Sequence, residues 1–165
     1  MPSSTAVRAG TFASSLATVG AVAATGGLVT WRRLGWYRSL ARPRWTAPDL
    51  AFGPIWSILY AEQAVAAWLV WRSGDDHDAV DVPALTSYSV QLGLNLAWTL
   101  LFFGVRRPAL ALLDVCALWI AIAVTIREFG KRHKLAAGLL LPYFAWTTYA
   151  ALLNADIWWR NRKNA

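Results

Sequence analysis

The sequence predicts an all-α integral membrane protein, a bundle of five transmembrane helices forming one domain over residues 1–165. Three observations carry that prediction. Hydrophobic residues make up 57% of the chain and charged residues only 15%, against about 25% charged in a soluble domain. Eleven residues are tryptophan, the side chain that, with tyrosine, collects at membrane–water interfaces. Five apolar stretches, each long enough to cross a hydrocarbon core about 30 Å thick, alternate with short charged connections.

The first stretch is 9–31, rich in Gly, Ala and Ser. Arg8 before it and the small residues at Ala21–Ala24 also fit a signal peptide, but its length and its small residues, which suit close helix packing, favour a retained span. A second span is expected over 50–72, then an acidic turn at 73–83 that contains His77. The third span covers about 84–104 and ends at Phe102-Phe103-Gly104. Arg106 and Arg107 make a tight connection, and Pro108 opens the fourth span, about 108–128, at the position where a missing N–H costs least. The basic turn GKRHK, with His133, precedes a fifth span over about 135–158 and a basic tail. No span repeats another.

Five crossings place the termini on opposite sides. The N-terminal side holds six Lys and Arg (Arg8, Arg72, Arg127, Lys131, Arg132 and Lys134), and the other ten of sixteen lie on the C-terminal side. The excess marks the C-terminal side as cytoplasmic. The net charge of +7 fits membrane anchoring and anionic headgroups. No basic, aromatic-bearing face lies outside the spans, which argues against nucleic acid. Cys116 is the only cysteine, so no intrachain disulfide or cysteine-based metal site can form.

Between the first two spans, 32–49 is long for a membrane loop. It is basic and aromatic, and Pro43 and Pro48 stiffen it. We read it as the lid of a binding cavity, with Arg42, Pro43, Arg44, Trp45 and Pro48 as its working residues. Trp31, Trp36, Trp45, Trp158 and Trp159 fall near the cytoplasmic boundary and Trp68 and Trp71 near the other, as an aromatic belt would. Trp56, Trp98, Trp119 and Trp146 lie instead inside four different spans, all roughly 9–17 Å below the lid at about 1.5 Å per residue.

Polar side chains accompany these four indoles. Trp56 and Tyr60 share one helical face, as do Gln91, Asn95 and Trp98 on the third span and Trp146, Ala150 and Asn154 on the fifth, with Tyr143 beside them. An amide in hydrocarbon must be paired or must line a cavity. Hydrogen bonding between helices is one outcome; convergence of aromatics and amides at one depth favours a ligand pocket. Glu62 points away from the Trp56/Tyr60 face, and Asp114 lies about two turns into the fourth span. The two are not close in sequence, and no paired-carboxylate chemistry follows.

The chain resembles the tryptophan-rich sensory protein family, TspO/MBR, which includes the mitochondrial translocator protein or peripheral benzodiazepine receptor. The resemblance covers about 26–161. It rests on Trp36-Tyr37, Pro43, Trp45, Pro48, Phe52, Trp56 and Leu59-Tyr60; on Gln91-Leu92, Asn95, Trp98, Phe102-Phe103-Gly104 and Arg106; and on Pro142-Tyr143, Trp146 and Leu153-Asn154. It implies a five-helix bundle, commonly a homodimer in a lipid bilayer. The implied pocket lies under the first loop and is lined by Trp56, Tyr60, Asn95, Trp98, Trp146, Ala150, Leu153 and Asn154. Family ligands are porphyrins (protoporphyrin IX, haem), sterols in animals and benzodiazepine-site drugs, so a porphyrin is the expected ligand and no obligatory cofactor is expected. Two departures stand out. Ala47-Pro48 replaces a pair of prolines, and Ala155 stands where animal members carry a tyrosine in a proposed sterol motif.

Three functions follow as expectations: a porphyrin-binding sensor or transporter; an enzyme that breaks protoporphyrin IX down in light, through Trp56 and Trp146; and a regulatory membrane scaffold. The flat macrocycle would stack on indole and phenol rings, with Arg42 and Arg44 holding its propionates. No nucleophile–base pair, metal cluster or phosphate loop is visible, and no inverted repeat points to alternating access. The expected location is a bacterial plasma membrane, N-terminus out and C-terminus cytoplasmic.

Overall fold

The computed structural model describes residues 4–73 and 82–163, with backbone alone at 4–16 and 18. Residues 74–81, which hold His77 and most of the acidic turn, lie outside the described residues. The elements are α1 (Ser4–Ser39), α2 (Asp49–Arg72), α3 (Val82–Thr99) continued by a π-helical turn (Leu100–Gly104), α4 (Pro108–Arg132), α5 (Lys134–Leu139) and α6 (Leu141–Asn161). With α3 and its π turn as one rod, and α5 and α6 as another, they form five rods. Among the described residues no strand occurs.

The rods pack in a ring. α1 lies against α2 and against α3 with its π turn; α3 packs on α4; α4 packs on α5 and α6; and α5 closes the ring on α2. By length and composition, α4 and the α5–α6 rod are apolar enough to cross a membrane on their own. Large apolar side chains such as Ile58, Val90, Leu113, Ile120 and Leu152 face outward. In water that surface would aggregate; in lipid it is the required solvent face. Trp31, Trp45 and Trp159 are exposed at one end and Trp71 at the other, as the interfacial belt demands.

The largest correction concerns the first connection. The span expected to end at residue 31 continues as helix to Ser39, so the loop expected over 32–49 shrinks to 40–48. Hydropathy falls at Arg32 because the bilayer ends there, but the helix does not. Arginine is a good helix former, and Tyr37 (3% exposed) still packs in the core. Elsewhere the ends move outward. α4 runs to Arg132 and α6 to Asn161, and the fifth rod is interrupted at Leu140, two residues ahead of Pro142. The basic turn narrows to His133, whose side chain caps α5 by accepting from the Ala136 N–H.

Two proline positions follow the expected chemistry. Pro108 starts α4, and Pro142 sits in the first turn of α6. Pro54 lies inside α2, where it removes one helical hydrogen bond, a loss that a packed bundle tolerates.

The π turn shapes the interior. Val105 N–H donates to the Leu100 carbonyl (2.7 Å) and Arg107 N–H to that of Leu101 (2.9 Å). Within the turn the adjacent Phe102 and Phe103 are both buried, at 2% and 6% exposure. Such turns recur at functional sites. The core divides into a cluster under the lid, containing Trp98, Phe102, Phe103 and Tyr143, and a second at the opposite end, containing Tyr88, Leu92, Phe129 and Leu140.

Candidate functional site

Under the lid, α1, α2, α3, the π turn and α6 surround one aromatic pocket. Its walls are Tyr37, Phe52, Trp56, Trp98, Phe102, Phe103, Trp146, Tyr149, Ala150, Leu153, Asn154 and Ile157. The rings fill it themselves. Trp98 stacks on Phe102 (centroids 5.7 Å, planes 25° apart), and Trp56 lies 6.5 Å from Trp98 and 5.4 Å from Tyr60. Trp146 meets Phe52 at 5.8 Å and Tyr149 at 4.9 Å. The unfilled space is about 20 Å³, room for about one water. The lining is almost wholly apolar, but the Trp146 Nε1–H is buried with no acceptor.

Six of the residues named from sequence line this pocket: Trp56, Trp98, Trp146, Ala150, Leu153 and Asn154. Tyr60, Asn95 and Tyr143 form a layer beneath it. The Tyr60 hydroxyl donates to Asn95 Oδ1 (2.7 Å), and Asn95 Nδ2 donates to the Tyr143 hydroxyl (3.0 Å). This chain ties α2, α3 and α6 together. Trp98 Nε1 donates to Asn154 Oδ1 (3.1 Å), and Asn154 Nδ2 donates to the Pro108 carbonyl at the start of α4 (2.8 Å). Gln91 pairs with Gln63 (3.1 Å) in the far half of the bundle. The amides thus do what interhelical hydrogen bonding requires, and Asn154 also presents to the pocket.

Trp119 is not in the pocket. It is 38% exposed on the outer face, its ring 4.7 Å from Phe144 and its Nε1–H donating to Thr148 (2.9 Å). The inward face of α4 carries Ala111, Val115, Leu118 and Ile122, and Trp119 lies about 100° round from Leu118. Glu62 and Asp114 are half-buried, each with one carboxylate oxygen buried and unpartnered. Neither lines the pocket.

Sequence reading missed Tyr37, Phe52, Phe102, Phe103, Tyr149 and Ile157. The signal was present in helical spacing: Phe52 is four before Trp56, Phe102 four after Trp98, Tyr149 three after Trp146, and Ile157 four after Leu153.

The short lid is latched at three places. Ala41 and Asn161 exchange two hydrogen bonds, Ala41 N–H to Asn161 Oδ1 and Asn161 Nδ2 to the Ala41 carbonyl, both 3.0 Å. The Ala47 N–H donates to the Tyr149 hydroxyl (2.7 Å), and Trp45 packs edge-on against the same ring (5.7 Å). Asp49, ahead of the apolar stretch that begins at Leu50, accepts from Arg38 Nε (2.8 Å) and Arg42 Nη1 (2.9 Å). Those hydrogen bonds, Arg38's first, hold the Asp49 carboxyl below the usual carboxylate range. Pro43 is buried, and its carbonyl accepts from the Thr46 hydroxyl (2.7 Å); Pro48 ends the loop.

Arg42 is therefore committed to the lid itself, with its guanidinium also 4.7 Å over the Tyr37 ring. Arg44 is exposed and has no ion pair among the described residues. Beside the lid, Arg38, Arg42, Thr46 and Asp49 edge a polar basin of about 490 Å³ that opens to solvent.

Two predictions concern the latches. Tyr149→Phe deletes one hydrogen bond worth about 1 kcal/mol, so the Ala47 amide should exchange with solvent deuterium about fivefold faster; an unchanged rate would remove Tyr149 from the latch. Asp49→Asn should make acid-induced loosening of the lid disappear. A lowered carboxyl contributes stability above its ordinary value and loses it as pH falls through the lowered one. Protection of the lid amides, relative to their intrinsic exchange rates at each pH, should therefore fall in the parent only below about pH 4, while Asp49→Asn shows no such step. The effect is small, because half-exposed pairs contribute about 0–1 kcal/mol.

Comparison with known proteins agrees with this architecture. A family model described as the TspO/MBR family matches residues 14–160. The chain is 36% identical over 138 residues to the tryptophan-rich protein TspO of Chlorobaculum tepidum, covering 83% of this chain and 87% of that protein. It is 37% identical over 125 residues to the human translocator protein, covering 76% and 74% of the two. It is 36% identical over 145 residues to a tryptophan-rich sensory protein of Cereibacter sphaeroides, covering 88% and 87%.

Proposed function

The chain belongs to the TspO/MBR family, and from that premise we propose that it is a membrane-embedded binding protein for porphyrins such as protoporphyrin IX or haem. Its relatives carry the names translocator and sensory protein, so its role is that of a membrane sensor or transporter. The observation that carries the ligand class is the lidded aromatic pocket, in which Trp56, Trp98 and Trp146 are presented from three helices with one unsatisfied indole N–H. Indole faces suit a flat macrocycle, and a buried N–H gains a full hydrogen bond when a ligand acceptor meets it.

A ligand of that size needs several hundred Å³, far more than the present 20 Å³. Binding therefore requires the lid to lift and the rings to turn. Arg44, unpaired on the lid, is the lid cation left to meet a propionate, since Asp49 holds Arg42. In this reading the lid and C-terminus face the cytoplasm of a bacterial cell, and the active unit is a homodimer.

A second reading, light- and oxygen-dependent porphyrin breakdown, draws support from contiguous redox-active rings: Tyr60, Trp98 and Tyr143 each lie 5.4–6.5 Å from Trp56. One titration addresses both. Protoporphyrin IX added to the detergent-solubilised protein should quench tryptophan fluorescence to saturation at one ligand per chain. Non-saturable quenching would contradict the binding proposal. A new, tryptophan-dependent product on illumination in air would favour breakdown.

A further inference from the structure

We propose that Arg32, Arg33 and Arg106, gathered round Trp36 at the seam between α1 and the π turn, form a binding site for the phosphate of an anionic phospholipid. The site lies outside the lid and its pocket and does not rest on the porphyrin reading. Its first support is charge. Five basic side chains at the two ends of the bundle are answered by acids: Arg38 and Arg42 by Asp49, Arg127 and Lys131 by Glu128, and Arg160 by Asp156. Arg32, Arg33 and Arg106 are exposed and have no carboxylate partner among the described residues.

The second support is position. The Arg106 guanidinium lies 5.9 Å from the Trp36 ring, and that ring is anchored edge-on to Phe102 at 5.7 Å. Arg33 and Arg32 precede Trp36 by three and four residues, so they lie one turn back on the same side of α1. The backbone holds this arrangement at a cost. Arg106 has φ 59°, the left-handed conformation that glycine adopts freely. Among the described residues it is the only non-glycine with positive φ. Strain of this kind persists where the surroundings over-determine it.

The third support is what lies below the charges. Leu28, four residues before Arg32 on the same face of α1, is 48% exposed, and Leu100, which starts the π turn, is 39% exposed. Cations above an apolar strip match an amphiphile, with phosphate at the arginines and an acyl chain along the seam. A free anion would have no use for the strip. Juxtamembrane cations attract anionic headgroups, and the fork of arginine suits phosphate.

Native mass spectrometry of the protein extracted from mixed phosphatidylglycerol and phosphatidylcholine nanodiscs tests this. The parent should retain phosphatidylglycerol over phosphatidylcholine by about tenfold or more. Arg32→Gln and Arg106→Gln should each lower that preference about fivefold, the weakening expected of one headgroup cation, whereas Arg127→Gln on the opposite side should leave it unchanged. Arg106 sits in a tight turn, so Arg32→Gln, on an exposed helix face, keeps the test decisive if Arg106→Gln misfolds. Equal retention of the two lipids, or an Arg32→Gln variant with undiminished preference, overturns the proposal. So does displacement of the lipid by an equal concentration of inorganic phosphate, which would mark a free-anion site.

Discussion

Asn95→Leu should destabilise the bundle by about 2 kcal/mol, lowering the unfolding midpoint in detergent by about 4–8 °C. Asn95 is 1% exposed and bridges two phenols, accepting from Tyr60 and donating to Tyr143. Leucine removes both bonds and leaves two hydroxyls in an apolar interior, and stranding a buried polar group costs about 1–3 kcal/mol. Hydrogen bonds within membrane bundles are weaker, about 0.6 kcal/mol on average and up to about 1.7, which sets the estimate near the lower end of the sum. The asymmetry supplies the control. Adding Tyr60→Phe and Tyr143→Phe to Asn95→Leu removes the stranded groups as well, so the triple variant should unfold at a higher temperature than Asn95→Leu alone. If Asn95→Leu unfolds with the parent, or the triple variant is the less stable, the polar layer is not what ties α2, α3 and α6 together.

The five rods were legible because each carries a long apolar run and none could be hidden inside a domain of 165 residues. Their ends were not legible. Loss of hydropathy at Arg32 marks the water interface, whereas the helix is ended by the need to turn, which comes at Leu40 and Pro43. The lid was therefore expected to be twice as long as it is.

The site was legible in part, and for a similar reason. Counting residues gives a tryptophan's depth but not its rotation about the helix axis. Trp56, Trp98 and Trp146 face inward, and Trp119, at a comparable depth, faces outward. The inward phase of α4 is set by Ala111, Val115, Leu118 and Ile122, and a reading of that stripe excludes Trp119. Tyr60 shares Trp56's face but sits one turn deeper, where Asn95 takes its hydroxyl. Arg42 was assigned to a ligand because loop charges read as free; Asp49, seven residues on, claims it. The six unforeseen wall residues are apolar or phenolic and look like ordinary core until the π turn and the lid bring them together.

The second large effect concerns the walls themselves. Trp56 and Trp146 approach the pocket from α2 and α6, and Trp146 holds its unpartnered N–H. Phenylalanine at both positions keeps an aromatic surface but shrinks it and deletes that donor. A stacked aromatic contact is worth about 0.5–1.5 kcal/mol beyond its area, and a hydrogen bond about 1 kcal/mol more. Together these amount to at least tenfold in affinity. Neither residue takes part in the Asn95 layer or in the hydrogen-bonded lid latches, so helicity should be preserved. The direct measurement is an absorbance titration of protoporphyrin IX into the parent and into Trp56→Phe/Trp146→Phe. A dissociation constant at least tenfold higher in the variant is the predicted result. Equal affinity, with a fully folded variant, would place the ligand elsewhere and contradict the account.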